Sequence, residues 1–230
     1  MTQIADSSMV LAHRREILFR TTGRIPIFLL FVLSCFGASA QLSLSDCAHL
    51  KTESIANIVR TQKGTDSMAT QKLTAIDSEW QACVINAKVP SFRLFSIKDE
   101  LLDSAGLKGK ILMINFWFTA CAPCVAELPG LNRLVREYAD KNVIFIGFTF
   151  EDKHKIVNDF LPEHPFDFKI VPDAGGMEKP FGVDDYPTTF IIDASGKVRR
   201  AWSGGKVGPE AQEEVYLKAK QVIDELLKAK

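Results

Sequence analysis

The stretch NFWFTACAPCVAELP, residues 115–129, holds the side chains best placed to do chemistry. Cys121 and Cys124 stand three apart, directly after an apolar run and directly before a helical pattern. A zinc site needs four ligands. No second Cys-x-x-Cys or paired histidines accompany these two, and His154 and His164 are isolated. Haem attachment requires a histidine straight after the second cysteine, where this chain has Val125. A structural staple closing so short a loop adds little stability. Thiol–disulfide exchange, in contrast, gains from the location. A helix N-terminus offers free N–H groups and the positive end of the dipole, both of which stabilise a thiolate. Pro123 fits the first helical turn, where its missing N–H is not needed. The spacing therefore predicts Cys121 as the attacking sulfur and Cys124 as the resolving thiol.

The elements that must position this pair can be read outward from it. KILMINFWF is a nearly continuous apolar run, the pattern of a central strand buried on both faces. A helix is expected from Pro123 to Tyr138, with Val125, Leu128, Leu131, Leu134 and Val135 toward the core. NVIFIGFTF reads as a second buried strand, so strand, helix and strand make a parallel crossover unit. SFRLFSIKDELLD suggests an extended entry segment with a short hairpin, and residues 153–161 a further helix ended by Pro162. The glycine-rich stretch 173–180 reads as irregular connection. TTFIID and KVRRAWS flank Ala194-Ser195-Gly196 as an antiparallel hairpin. A last helix starts near Pro209, with Val215, Leu217, Val222, Ile223 and Leu226 as its apolar positions. The expectation is an α/β fold: a central mixed sheet with helices on both faces.

Ahead of that domain, residues 41–85 read as a helical hairpin. Its first helix runs near 46–60, with Leu50, Ile55, Ile58 and Val59 on one side. The second runs near 66–85, with Leu73, Ile76, Trp80 and Val84, and the break falls at Gly64. Cys47 and Cys83 are nearly equidistant from Gly64, so an antiparallel pair brings them together at its open end, where a disulfide would hold it shut. Residues 1–40 have the pattern of a signal peptide: Arg14, Arg15, Arg20 and Arg24, then IPIFLLFVLSCFG, then Ala38-Ser39-Ala40. That apolar run, about 12 residues, falls short of the ~20 that span a bilayer. Val32-Leu33-Ser34-Cys35 loosely fits a lipobox, which would place a lipid anchor on Cys35. Either route predicts export to the periplasm or cell envelope, an oxidising place where cysteines are paired or do redox chemistry. The formal net charge is zero, without the basic face that a nucleic-acid binder needs.

NFWFTACAPC, then Glu127-Leu128-Pro129, and later YPTTFIID together resemble the thioredoxin superfamily, within it the exported TlpA/ResA-like thiol-disulfide oxidoreductases. The resemblance covers about residues 86–230. It implies a thioredoxin fold and reduction or exchange of disulfides in client proteins, without a cofactor or metal. It implies that Pro187 is the family's cis-proline beside the cysteines, and that the backbone at Tyr186 pairs with an extended client segment. Trp117 and Pro123 join Tyr186 and Pro187 in the expected client-binding set, with Trp117 and Phe116 packing beneath the site. Glu127 matches a glutamate that ResA-like proteins keep near the cysteines, a proton acceptor or a group that tunes the thiols.

Two positions depart from relatives. Asn115 stands where cytosolic thioredoxins carry a buried aspartate, and Ala120 where the family usually has tryptophan. A reductant in an oxidising compartment must be recharged, so a membrane electron donor is implied. Three rivals remain: a disulfide-donating oxidant, a peroxiredoxin-like thiol peroxidase, and a binding module whose cysteines are incidental. The peroxidase would need Pro-x-x-x-Thr-x-x-Cys, which precedes neither cysteine.

Overall fold

The computed structural model describes residues 41–61 and 67–229. The expected leader over 1–40 with its Cys35, and the break at Gly64, lie outside them. Two helices come first, α1 (Leu44–Thr61) and α2 (Ser67–Val84), followed by a small antiparallel hairpin of β1 (Arg93–Phe95) and β2 (Leu101–Asp103). β3 (Ile111–Phe116), α3 (Ala122–Glu137) and β4 (Val143–Phe148) form the crossover unit. β5 (Lys169–Val171), α4 (a single turn, Glu178–Phe181), β6 (Thr188–Ile192), β7 (Val198–Ser203) and α5 (Glu210–Lys228) complete the chain.

The five-stranded sheet has the order β5-β4-β3-β6-β7. β3 pairs in parallel with β4 and antiparallel with β6, so the sheet is mixed and β3 is its middle strand. All six residues of β3 are buried, as the unbroken apolar run requires. Its side chains alternate between two cores. Ile111 and Met113 face α3 and α5, whereas Leu112, Ile114 and Phe116 face the other way. The opposite core contains Leu44, Cys47, Trp80 and Val84 of the helical hairpin, packed with Phe116, Phe148, Phe181 and Phe190. The hairpin thus covers one face of the sheet. Among the described residues, no helix is long and apolar enough to cross a membrane.

Several local expectations change. Leu50 and Val59 of α1 are 50% and 71% exposed. The inward face of α1 is instead Leu44, Cys47, Ala48 and Lys51, an i, i+3, i+4, i+7 stripe whose fourth member is charged. Leu73 of α2 and Leu217 of α5 likewise face solvent. Residues 155–160 wind as a π-helical turn rather than an α-helix. The stretch 173–180, expected to be irregular, holds a 3₁₀ turn (Ala174–Met177) that runs straight into α4.

Candidate active site

β3 delivers its C-terminal end to the first turn of α3, and Cys121 occupies the junction. Its backbone is extended (φ −82°, ψ 98°) and it caps α3, with Sγ accepting a hydrogen bond from the Cys124 backbone N–H at 3.3 Å. A sulfur is therefore the acceptor for one of the helix's unpaired donors, the role that Ser or Asp usually fills. Cys121 and Cys124 are joined in a disulfide with Cα atoms 5.2 Å apart. They are only 5% and 2% exposed. Pro123 sits in the first turn, and Pro129 inside α3 leaves one backbone bond unmade.

The loop ahead of Cys121 is tied down by a residue that the sequence did not single out. Glu151, buried just past β4, accepts from the Thr119 backbone N–H at 2.7 Å and the Thr119 hydroxyl at 2.8 Å. Lys155 closes the cluster at 2.6 Å. Burial pushes the Glu151 carboxyl up, but the bonds from Lys155 and Thr119 outweigh it and hold the group below its ordinary range. A charged residue at the end of an apolar strand was the available signal, and it resembles any solvated loop residue.

Pro187 enters from β6, which pairs with β3 so that Thr188 lies opposite Phe116. The Tyr186–Pro187 peptide is cis, Pro187 is buried, and its carbonyl accepts from the Gly204 N–H at 2.8 Å. Gly205 is the common neighbour. A Cβ built there would stand 2.8 Å from Glu127 Oε1, 3.2 Å from Pro187 Cγ and 3.3 Å from Pro123 Cβ. Only glycine leaves room for these three groups together. Phe118, Phe150 and Tyr186 pack ring against ring at 5.2–6.1 Å, with Phe150 nearly half exposed. The Tyr186 hydroxyl bonds Glu178. Burial and that bond push the hydroxyl's pKa up.

Glu127 lies in α3 one turn beyond Cys124 and is 4% exposed, with Oε2 lacking a hydrogen-bond partner. Burial raises its pKa to about 8, with Lys218 pulling down and Glu214 pushing up. Behind it is a cavity of about 20 Å³, lined by Trp202, Gly204, Gly205, Ala211, Glu214 and Lys218 among others. That is room for one water molecule. Asn115 is buried and donates to the Thr189 hydroxyl at 2.9 Å across the β3–β6 pair, a neutral bond where a carboxylate could have stood.

Cys121, Cys124, Pro123, Glu127 and Pro187 therefore converge. Trp117, expected in the client-binding set, is instead wholly buried. It packs on Phe160 and Phe166 below the pair. Cys47 and Cys83 form a second disulfide, in the hairpin, with Cα atoms 5.8 Å apart. Among the described residues, no group of His, Cys, Asp or Glu side chains could hold a metal ion.

The model of the AhpC/TSA family matches residues 85–201. The chain is 33% identical over 132 residues to a thioredoxin-like protein YneN of Bacillus subtilis, spanning 56% of this chain and 78% of that one. It is 32% identical over 135 residues to the thiol-disulfide oxidoreductase ResA of Bacillus thuringiensis, spanning 58% and 77%. The crystal structure of a candidate thiol:disulfide interchange protein DsbE from Chlorobium tepidum superposes with a TM-score of 0.53 at 25% identity. It covers 62% of this chain and 97% of that one.

Proposed function

The chain belongs to the AhpC/TSA family and is a thiol-disulfide oxidoreductase of thioredoxin-like fold; on that premise we propose that it is an exported reductant of disulfides in client proteins. The observation that carries this reading is the placement of Cys121 Sγ on a free N–H of α3. In the reduced protein the same donor steadies the Cys121 thiolate. That thiolate attacks a client sulfur, forming a mixed disulfide and releasing the client's other sulfur as a thiolate. Cys124 loses its proton and attacks Cys121. The Cys121–Cys124 disulfide forms, and the client leaves with both its sulfurs reduced. Two electrons pass to the client, so a membrane-borne dithiol donor must return two.

Glu127, in the minor ionised fraction that a pKa near 8 leaves at neutral pH, is the group that takes the Cys124 proton. A carboxyl pKa near 8 is close to that of a thiol, which makes the transfer nearly balanced. Until that transfer, the Glu127 charge one turn from Cys124 opposes a thiolate there, which favours a reductant over a disulfide donor. Pro123, Tyr186 and Pro187 form the face that meets the client, with the Tyr186 backbone pairing with its extended segment.

Export is supported by the leader-like residues 1–40 and by the Cys47–Cys83 disulfide, which an oxidising compartment preserves. In this reading signal peptidase cuts after Ala40, with acylation at Cys35 the lesser route.

The test uses insulin, a protein disulfide, and the pre-reduced chain. Cys124→Ser should accumulate a mixed disulfide through Cys121, whereas Cys121→Ser should form none. A protein that leaves insulin intact, or traps it through Cys124, overturns the reading.

A further inference from the structure

We propose that Lys51, in the helical hairpin, is a positioning residue for the loop 182–187, which ends in the client-facing Tyr186 and Pro187; this rests on the client-disulfide reading above. Lys51 is a lysine in a place where lysine is costly. It is 9% exposed, within the stripe by which α1 packs on the domain. A buried ammonium must be paired, so the groups that pair it are held in turn. Its Nζ lies 3.1 Å from Ser203 Oγ, 3.5 Å from Asp184 Oδ1 and 4.8 Å from the centre of the Trp80 ring. The hydroxyl of Thr52, the next residue of α1, lies 3.2 Å from the other Asp184 oxygen and 3.0 Å from the Ala48 carbonyl, which share its one proton.

These contacts run directly into the loop that carries Pro187. Ser203, having accepted from Lys51, donates to Asp185 Oδ2 at 3.4 Å. Asp185 Oδ1 accepts the Tyr186 backbone N–H at 2.8 Å. The start of the loop is gripped by packing. Gly182 has a left-handed backbone (φ +66°), and a Cβ there would stand 2.4 Å from the Leu44 carbonyl oxygen and 2.7 Å from Ala48 Cβ. Leu44 and Ala48 are the same α1 face that presents Lys51. The hairpin thus fixes the backbone at 182 and, through one ammonium, the carboxylates of 184 and 185.

The consequence concerns binding rather than thiol chemistry. A client strand that pairs with the Tyr186 backbone must take its N–H from Asp185. The Asp185 carboxylate can give up that donor because Ser203, oriented by Lys51, remains its partner. Without the ammonium, Ser203 and Asp184 lose their common anchor, and the loop no longer presents its edge in one position. The partners of Lys51 do not include either active-site cysteine, so the reactivity of Cys121 toward a small disulfide is untouched.

The experiment compares two rate constants for the pre-reduced full chain, under conditions that keep Cys47–Cys83 oxidised. One is with insulin, the other with the small disulfide dithionitrobenzoate. Lys51→Met should slow the insulin reaction about tenfold, the factor at the low end for losing one charge-assisted hydrogen bond. The dithionitrobenzoate reaction should keep its wild-type rate. Asp184→Asn, in which Lys51 keeps its hydrogen bond to Ser203 and the Trp80 ring but loses its carboxylate, should slow insulin in the same selective way. Unchanged insulin rates in both variants, or equal slowing with both disulfides, overturn the inference. Wild-type protein inert toward insulin would instead strike the client reading on which it stands.

Discussion

Gly205 and Glu127 touch so closely that a single methyl group at Gly205 would lie 2.8 Å from Glu127 Oε1. The contact joins the loop after β7 to the helix that carries the cysteines, and Pro187 and Pro123 complete the same nest. A Gly205→Ala chain should fold, because Gly205 is exposed on its other side. Its Cβ would push Glu127 and the two prolines out of register. Insulin reduction should fall by about tenfold to a hundredfold, the penalty for displacements near 1 Å in a reacting site. An unchanged rate would mean that the nest has no part in the exchange.

The Glu127 carboxyl gives stability a pH dependence of unusual sign. Its folded pKa, about 8, lies above the ordinary 4.5 of an unfolded chain. Between those values the folded form holds a proton that the unfolded form has lost, so stability falls as pH rises through this window and levels off above it. The loss should approach roughly 5 kcal/mol, at 1.36 kcal/mol for each pH unit between the two pKa values. Glu127→Gln should remove the slope and be more stable than wild type at pH 8. Urea unfolding of the oxidised protein from pH 5 to 9 checks this, and parallel curves for the two chains would refute it.

Glu151 makes the opposite case, a carboxylate held in its charged form. Glu151→Gln weakens the acceptor for both Thr119 donors and leaves Lys155 without its ion pair. We expect a stability loss of about 1–3 kcal/mol and a slower reaction of Cys121 with dithionitrobenzoate, since the loop before it is no longer fixed. Denaturant unfolding and the thiol reaction report the two effects separately.

Gly130 tests the packing of α3 on α5. A Cβ there would lie 2.0 Å from the Gln212 carbonyl oxygen, a backbone atom that cannot turn aside. Gly130→Ala should destabilise by at least about 1–3 kcal/mol, the usual cost of overpacking, despite alanine's better helix propensity. A rise in melting temperature would contradict the close approach of the two helices.

The cysteine pair and its fold were legible because the strongest sequence signals coincide there. An unbroken apolar strand, a helix start with proline in its first turn, and a second apolar strand can be joined in few ways. The hairpin's face was misread for a physical reason. Leu44, Cys47, Ala48 and Lys51 are spaced as a buried stripe, but a lysine in the fourth place hides the pattern, while Leu50 and Val59 suggest a different one. Trp117 was half legible: its place beneath the site follows from the strand, but its complete burial does not. Gly205 and Glu151 could not be found, because each acts through contacts with residues far along the chain. The π turn at 155–160 leaves no periodic trace over so few residues.

The central claim is that the Cys121–Cys124 couple is a reductant. The most direct measurement is its reduction potential in the chain beginning at Gln41, equilibrated against glutathione buffers with the Cys47–Cys83 pair mapped separately. The expected value is near that of thioredoxin, about −270 mV, at which the couple gives electrons to client disulfides and depends on a donor. A value near about −120 mV would contradict it and make the protein a donor of disulfides.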